Sequence, residues 1–199
     1  MLALPSAPPP APRRQLLIGT ALACGAIAMM FGGMLAVYLR LRMRTINTID
    51  TVTGEHVSWL PDGVTVPEVA ANNMLIAFLG IFVFAQWAVW AARRNQRTYT
   101  AIAIALTALI GLAVVNAQAY VYRQMGAGVS GGSFGSLFYA VTGTFVVLMI
   151  GGVVFSVVTM FRYLGGRTRE REIVAAHALY WYFMGAVFSA LWLVVYVTK

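Results

Sequence analysis

"GSFGSLFYAVTGTFVVLMIGG", residues 132–152, decides how this chain is read. It holds no Asp, Glu, Lys or Arg. Crossing the hydrocarbon core of a bilayer takes about 20 apolar residues, so the stretch predicts a membrane-spanning helix. Yet Gly132, Gly135, Gly143, Gly151 and Gly152 interrupt it, and an interior glycine costs about 1 kcal/mol of helix stability relative to alanine. A helix that accepts so much glycine must gain something from it.

The rest of the chain supports a membrane reading. Its 199 residues are 60% hydrophobic and only 10% charged, with a mean hydropathy of +0.78. Soluble domains carry about 25% charged residues. Five long stretches, charged only at their ends, predict helices over 16–42, 69–92, 98–122, 134–162 and 173–198. In lipid each backbone polar group must be satisfied within its own segment, which makes these helices; they are too long and continuous for barrel strands. The expected fold is therefore an all-α bundle of five transmembrane helices occupying residues 16–199. Residues 1–15, including "LPSAPPPAP", are expected to form a disordered, polyproline-like cytoplasmic tail. The apolar run after Arg13 and Arg14 is longer than the 7–15 residues of a signal-peptide core, so it is expected to stay as a helix.

Loop charges predict the orientation. One side collects Arg13, Arg14, Arg93, Arg94, Arg97, Arg162, Arg167, Arg169 and Arg171. The other collects Arg40, Arg42, Arg44, Arg123 and Lys199, with the acids Asp50, Glu55, Asp62 and Glu68. The richer side is expected to be cytoplasmic, with the N-terminus inside and the C-terminus outside. The net charge of +8 does not point to nucleic acid, because the arginines sit at helix ends and not on one patch.

Catalytic signals are sparse. The spans hold no ionisable acid or base except His177 near one end of the last helix, whereas proton relays and transport sites need such groups. His56 and His177 belong to opposite sides of the membrane and cannot share a metal. The scattered Met residues read as packing, Cys24 as an inert buried thiol, and "GAGVSGG" at 126–132 as a flexible turn, since it has no phosphate-loop lysine. No catalytic, cofactor-binding or metal-binding residue is expected. Trp87, Trp90, Tyr99, Tyr120, Tyr122, Tyr180, Trp181, Tyr182, Trp192 and Tyr196 read as the aromatic belt at the membrane interfaces.

Small residues carry the positive signal. Helices in lipid associate by close packing, so small side chains mark contact faces. Cys24, Ala28, Gly32 and Ala36 repeat every fourth residue in the first span, and Ala103, Thr107 and Gly111 in the third. In the opening stretch Ser136, Ala140, Gly143, Val147 and Gly151 alternate spacings of four and three, which keeps them on one face. The last span offers Gly185, Ala186, Ser189 and Ala190. Each row either packs inside this chain's own bundle or meets a larger membrane partner.

The order of motifs is specific. "WLPDGV" at 59–64 is followed by Pro67, Asn72 and Asn73, then "NAQAY" at 116–120, "FGSLFYAVTG" at 134–143, "IGG" at 150–152 and "LYWYF" at 179–183. Over nearly its whole length the chain resembles subunit III of the haem–copper oxidases, in its short five-helix form. Gly135, Ser136, Phe138, Thr142 and Gly143 match the family's most specific element, and Tyr180 and Trp181 match its W-Y-W-H-F. The departures are polar. Where the family continues F-H-G-L-H, this chain has Thr144, Phe145, Val146, Val147 and Leu148. Leu179, Tyr180, Trp181, Tyr182, Phe183, Met184 and Gly185 replace W-Y-W-H-F-V-D. The family's membrane Glu positions fall at Ile27 and Ala119, and a His pair falls near Trp87 and Ala88.

The resemblance implies an accessory, non-catalytic subunit of a terminal respiratory oxidase in a bacterial plasma membrane. It would pack against and stabilise subunit I, with subunit II and other respiratory subunits nearby, among membrane lipids and with no nucleic acid. Haem and copper would lie in the partner subunits. An accessory protein of a nitric oxide reductase or other respiratory complex is the alternative; a small-solute transporter fits less well, because transport sites need intramembrane polar groups. The implied packing or partner residues are Cys24, Ala28, Gly32, Ala36, Gly135, Ser136, Ala140, Thr142, Gly143, Gly151, Tyr180 and Trp181.

Overall fold

The chain's structure, a computed structural model, describes residues 14–51, 54–61, 63–126, 128–129, 132–166 and 171–198. Residues 1–13 of the expected tail, residues 127, 130 and 131 of the glycine-rich turn, and Asp62, Arg167, Arg169 and Lys199 lie outside them. Five helices are long and apolar enough to cross a membrane. They are α1 (Gln15–Ile46), α2 (Glu68–Arg93), α3 (Arg97–Gln124), α4 (Gly132–Leu164) and α5 (Arg171–Leu191), the last continuing as a π-helical segment, Trp192–Val197. Several helices run past the apolar stretches that predict them. Beyond the hydrocarbon core, polar residues such as Arg42, Arg44 and Thr45 still close helical hydrogen bonds.

Side-chain bonds tie the helix ends into two layers. At one end Glu172, in the first turn of α5, accepts a hydrogen bond from the Leu17 amide of α1 at 2.9 Å. One carboxylate thereby lies at two helix N-termini, where the exposed amides and the helix dipoles favour negative charge. Arg171 donates to Asn95 Oδ1 at 2.8 Å, bringing the α2–α3 link to the same end. That link ends α2 with Asn95 in the left-handed region (φ 57°), and the amides of Asn95 and Gln96 bond back to Ala92 and Ala91. This is a Schellman stop, which asparagine tolerates almost as glycine does. At the other end Trp192 donates to Asn72 at 2.8 Å and Tyr196 to Gln118 at 2.9 Å, joining the end of α5 to α2 and α3. Trp59 of the α1–α2 connection donates to the Tyr38 hydroxyl at 3.1 Å and packs edge-on to Phe134.

Within the bundle α5 touches α1, α2 and α4, while α3 packs on α2 and α4. α1 flanks the group and buries little of itself: Cys24, Phe31 and Tyr38 are its buried residues. The largest fully buried side chain is Trp181. It projects from α5 onto Gly111 of α3 and Gly152 of α4. A Cβ at Gly111 would stand 2.5 Å from its ring, and one at Gly152 would meet Tyr180 at 2.7 Å and Trp181 at 3.3 Å. Glycine is required at both places because a ring occupies the volume of a side chain. Gly185 plays the converse part, receiving Phe82 and Phe78 of α2 on the surface of α5.

Overpacking a filled site costs about 1–3 kcal/mol, or roughly 3–10 °C in Tm for a chain of this size. Gly152→Leu should therefore lower the thermal midpoint of the purified chain in mild detergent by an amount in that range, followed by circular dichroism. An unchanged midpoint would mean that Trp181 does not fill the space beside Gly152.

Candidate functional site

The small residues singled out by spacing divide into two sets. Gly111 and Gly152 seat Trp181, Gly185 seats Phe82, and Gly80 meets Ile110 at 3.3 Å. Gly25, Gly32 and Gly33 on α1, with Gly143 and Gly151 on α4, would meet nothing within 4 Å if given a Cβ. Cys24 is buried, whereas Ala28, Gly32 and Ala36 of the same row are exposed. On α4, Gly135 and Thr142 are buried; Ser136, Ala140 and Gly151 are exposed, with Gly143 half-buried between them. The row Ser136, Ala140, Gly143, Val147 and Gly151 thus runs along the outside of the bundle. The third-span row Ala103, Thr107 and Gly111 is wholly inside.

Tyr180 is half-buried and donates to the Leu148 carbonyl at 2.7 Å. Trp181 is fully buried, so it is a core residue and not part of the interface belt where the sequence placed it. Tyr196, also assigned to the belt, is 2% exposed. Trp90 does fit an interface role: it is 44% exposed and carries the Arg94 guanidinium 4.0 Å above its ring.

Two buried polar clusters were not legible as such. In the first, Trp181 Nε1 lies 3.0 Å from both Ser156 Oγ and His177 Nε2, and those two atoms are 2.7 Å apart. Ser156 Oγ also donates to the Gly152 carbonyl at 2.9 Å. One assignment gives every proton an acceptor. Ser156 donates to Gly152 and accepts from both Trp181 Nε1–H and His177 Nε2–H. The proton is then on Nε2, and His177 Nδ1, which has no partner, is a bare lone pair. The other tautomer would bury an unbonded N–H, the costlier orphan. In the second cluster Tyr122 donates to Thr142 at 2.9 Å and Thr142 to the Phe138 carbonyl at 2.6 Å. Gln118 there accepts from Tyr196 at 2.9 Å. Thr142, a family marker, is thus a link in a chain of hydrogen bonds.

In these clusters the Ser156 hydroxyl accepts from His177 and gives its own proton to the Gly152 carbonyl, while His177 Nδ1 and Gln118 Nε2 have no partner. Among the described residues no group of three or more His, Cys, Asp and Glu could hold a metal. His56 lies in the α1–α2 connection and His177 in the second turn of α5, at opposite ends of the bundle. What the surface offers is a pair of helix faces with open glycines.

Removing Ser156 Oγ takes the acceptor from two buried donors, and such a bond within a membrane bundle contributes about 0.6–1.7 kcal/mol. Ser156→Ala should lower the thermal midpoint accordingly. In the unaltered chain, 15N-histidine NMR should show His177 as the Nε2-protonated neutral tautomer. An Nδ1-protonated ring would reverse the hydrogen-bond assignment.

The comparisons agree with the motif order. The family model "Cytochrome c oxidase subunit III" matches residues 28–199. Cytochrome c oxidase subunit 3 of Corynebacterium diphtheriae is 24% identical over 184 residues, covering 90% of this chain and 86% of the relative. That of Thermostichus vulcanus is 28% identical over 177 residues, covering 85% and 81%. The probable cytochrome c oxidase subunit 3 of Rickettsia felis is 27% identical over 196 residues, covering 93% and 69%. The chain belongs to the cytochrome c oxidase subunit III family and is a multi-pass membrane protein, the accessory subunit III of a haem–copper oxidase.

Proposed function

We propose that the chain seats the open-glycine faces of α1 and α4 against the catalytic subunit I within a bacterial plasma membrane. Subunit II and other respiratory subunits complete the assembly. The partner subunits carry the haem and copper, and the assembled enzyme reduces oxygen and pumps protons. This chain holds subunit I and shields it from lipid.

The observation that carries the reading is the set of unfilled positions at Gly25, Gly32, Gly33, Gly143 and Gly151. Each costs helix stability, and none of them seats a neighbouring side chain in this bundle. Close helix approach is what such residues supply in lipid, so a helix from outside the chain is what would use them. The N-terminus is cytoplasmic. Arg14, Arg93, Arg94, Arg97, Arg162 and Arg171 share the end of the bundle where α1 starts, and Asp50, Glu55 and Glu68 lie at the other, which is the charge bias of an inward-facing end.

Gly32→Leu and Gly143→Leu test this reading. Each should leave the thermal midpoint of the isolated chain unchanged, since a Cβ built at either position meets nothing within 4 Å. Each should reduce the haem that co-purifies with a tagged chain in mild detergent, by roughly tenfold for a loss near 1.4 kcal/mol. Normal recovery of haem with both variants would turn these faces toward lipid.

A further inference from the structure

The half of the bundle nearer the start of α1 has a polar interior. Ser156, Thr159 and Tyr163 of α4 follow one another at spacings of three and four, so they share one face, and all three are fully buried. His177 of α5, also fully buried, stands against that face. Polar side chains inside a membrane bundle are costly unless they find partners. The hydroxyls of Ser156 and Thr159 have them. Tyr163 Oη and His177 Nδ1 are buried and meet no hydrogen-bonding group among the described residues.

These two atoms belong to one neighbourhood. The 2.7 Å contact between Ser156 Oγ and His177 Nε2 sets the register of α4 against α5. Tyr163 lies two turns from Ser156, about 10 Å nearer the end of the bundle. It packs in one cluster with Ile173 and Val174, one turn before His177 on α5. Phe155 packs against the same cluster and meets the His177 ring edge-on at 5.8 Å. Ala88, Ala92 and Ala103 enter that cluster from α2 and α3, so the neighbouring side chains there are short. Side chains lean toward the N-terminus of their own helix. Since α4 ends where α5 starts, Tyr163 leans deeper into the bundle and His177 leans toward its end, each toward the other. Their roles are complementary as well. The Tyr163 hydroxyl has a proton to give, and Nδ1 of the Nε2-protonated His177 has a lone pair to fill. Thr159, between Ser156 and Tyr163, gives its proton to the Phe155 carbonyl at 2.7 Å and keeps lone pairs that accept.

We propose that Tyr163, Thr159 and His177 hold one internal water molecule. The water accepts from the Tyr163 hydroxyl, donates one proton to His177 Nδ1 and donates the other to Thr159 Oγ1. About three bonds is the usual number for a buried water, and these three leave neither orphan. The water extends the hydrogen-bonded chain of Trp181, Ser156 and His177 toward the end of the bundle. That chain stops at an indole N–H, which takes up no proton. Its role is therefore to hold α4 and α5 in register and not to carry protons.

The test is solid-state NMR of the full chain in lipid bilayers, labelled with 15N-histidine. A His56→Gln background leaves His177 as the only imidazole. Magnetisation from water protons should reach His177 Nδ1, although the ring is fully buried and out of reach of bulk water. Tyr163→Phe and Thr159→Val each remove one of the three partners and should reduce that transfer severalfold. Tyr163→Phe should also lower the thermal midpoint by about 2–4 °C. An unbonded phenol predicts the opposite sign, because deleting a buried orphan hydroxyl removes its desolvation cost. No transfer from water to His177 in the His56→Gln chain, or a midpoint that rises in Tyr163→Phe, would overturn the proposal. So would transfer that both variants leave unchanged, which places the water elsewhere. An Nδ1 resonance that responds to Tyr163→Phe without any water contact would mean a direct bond between the two side chains, and overturns it as well.

Discussion

Trp181 standing between Gly111 and Gly152 is the contact on which the bundle depends. Its ring reaches α3 and α4 from α5, so one side chain sets the spacing of three helices, and both glycines are needed to admit it. Its indole N–H cannot be left bare in a lipid-surrounded interior. Ser156 of α4 accepts it, and His177, one turn before Trp181 on α5, donates to the same hydroxyl. The same region therefore supplies shape and polar satisfaction together. Tightly packed interiors transmit strain, which is why a change at Gly152 should be felt by Ser156, one turn away on α4.

The spans, their order and the family were legible because apolar length and motif order are one-dimensional signals. Which face of each helix looks inward was not legible, for a physical reason. In water, an apolar stripe on a helix marks the core. In lipid, the outer surface is apolar too, so hydrophobic pattern carries no inside-or-outside sign, and packing alone decides. The opening stretch shows the consequence. Ser136, Ala140, Gly143 and Gly151 form a well-spaced row that faces out, while Gly135, Thr142 and Gly152, offset by one residue or so, face in. Trp181 misled for a related reason. Tryptophan near a helix end usually marks the interface, but Trp181 lies nearly three turns inside α5, where its N–H finds Ser156 in the core.

The family's missing polar residues now have a structural counterpart. Phe145 stands where a histidine is usual, and it is buried against Phe188 and Phe78, with ring centroids 5.3 and 6.3 Å away. Gly185 stands where the last span usually has an aspartate, and Phe82 of α2 occupies the room a side chain would take. Phe78, Phe82, Phe145 and Phe188 form one aromatic cluster that takes up both places. Replacing buried charged groups by well-packed apolar ones is often neutral or stabilising, so this interior gives up polar chemistry at little cost in stability.

α1 follows a different logic from the rest. It is fixed at its two ends and loose between them. Glu172 holds its first turn through the Leu17 amide, and Trp59 holds Tyr38 near the other end. Between those anchors only Cys24 and Phe31 are buried, and the glycines look outward. A helix pinned in this way keeps its orientation without needing a continuous contact along its length. Its middle is then free to accept a close neighbour at no expense to the fold of its own chain. The internal contacts of α5 and the open face of α1 are therefore complementary: the first joins α1, α2 and α4, and the second leaves Gly25, Gly32 and Gly33 uncovered by this chain.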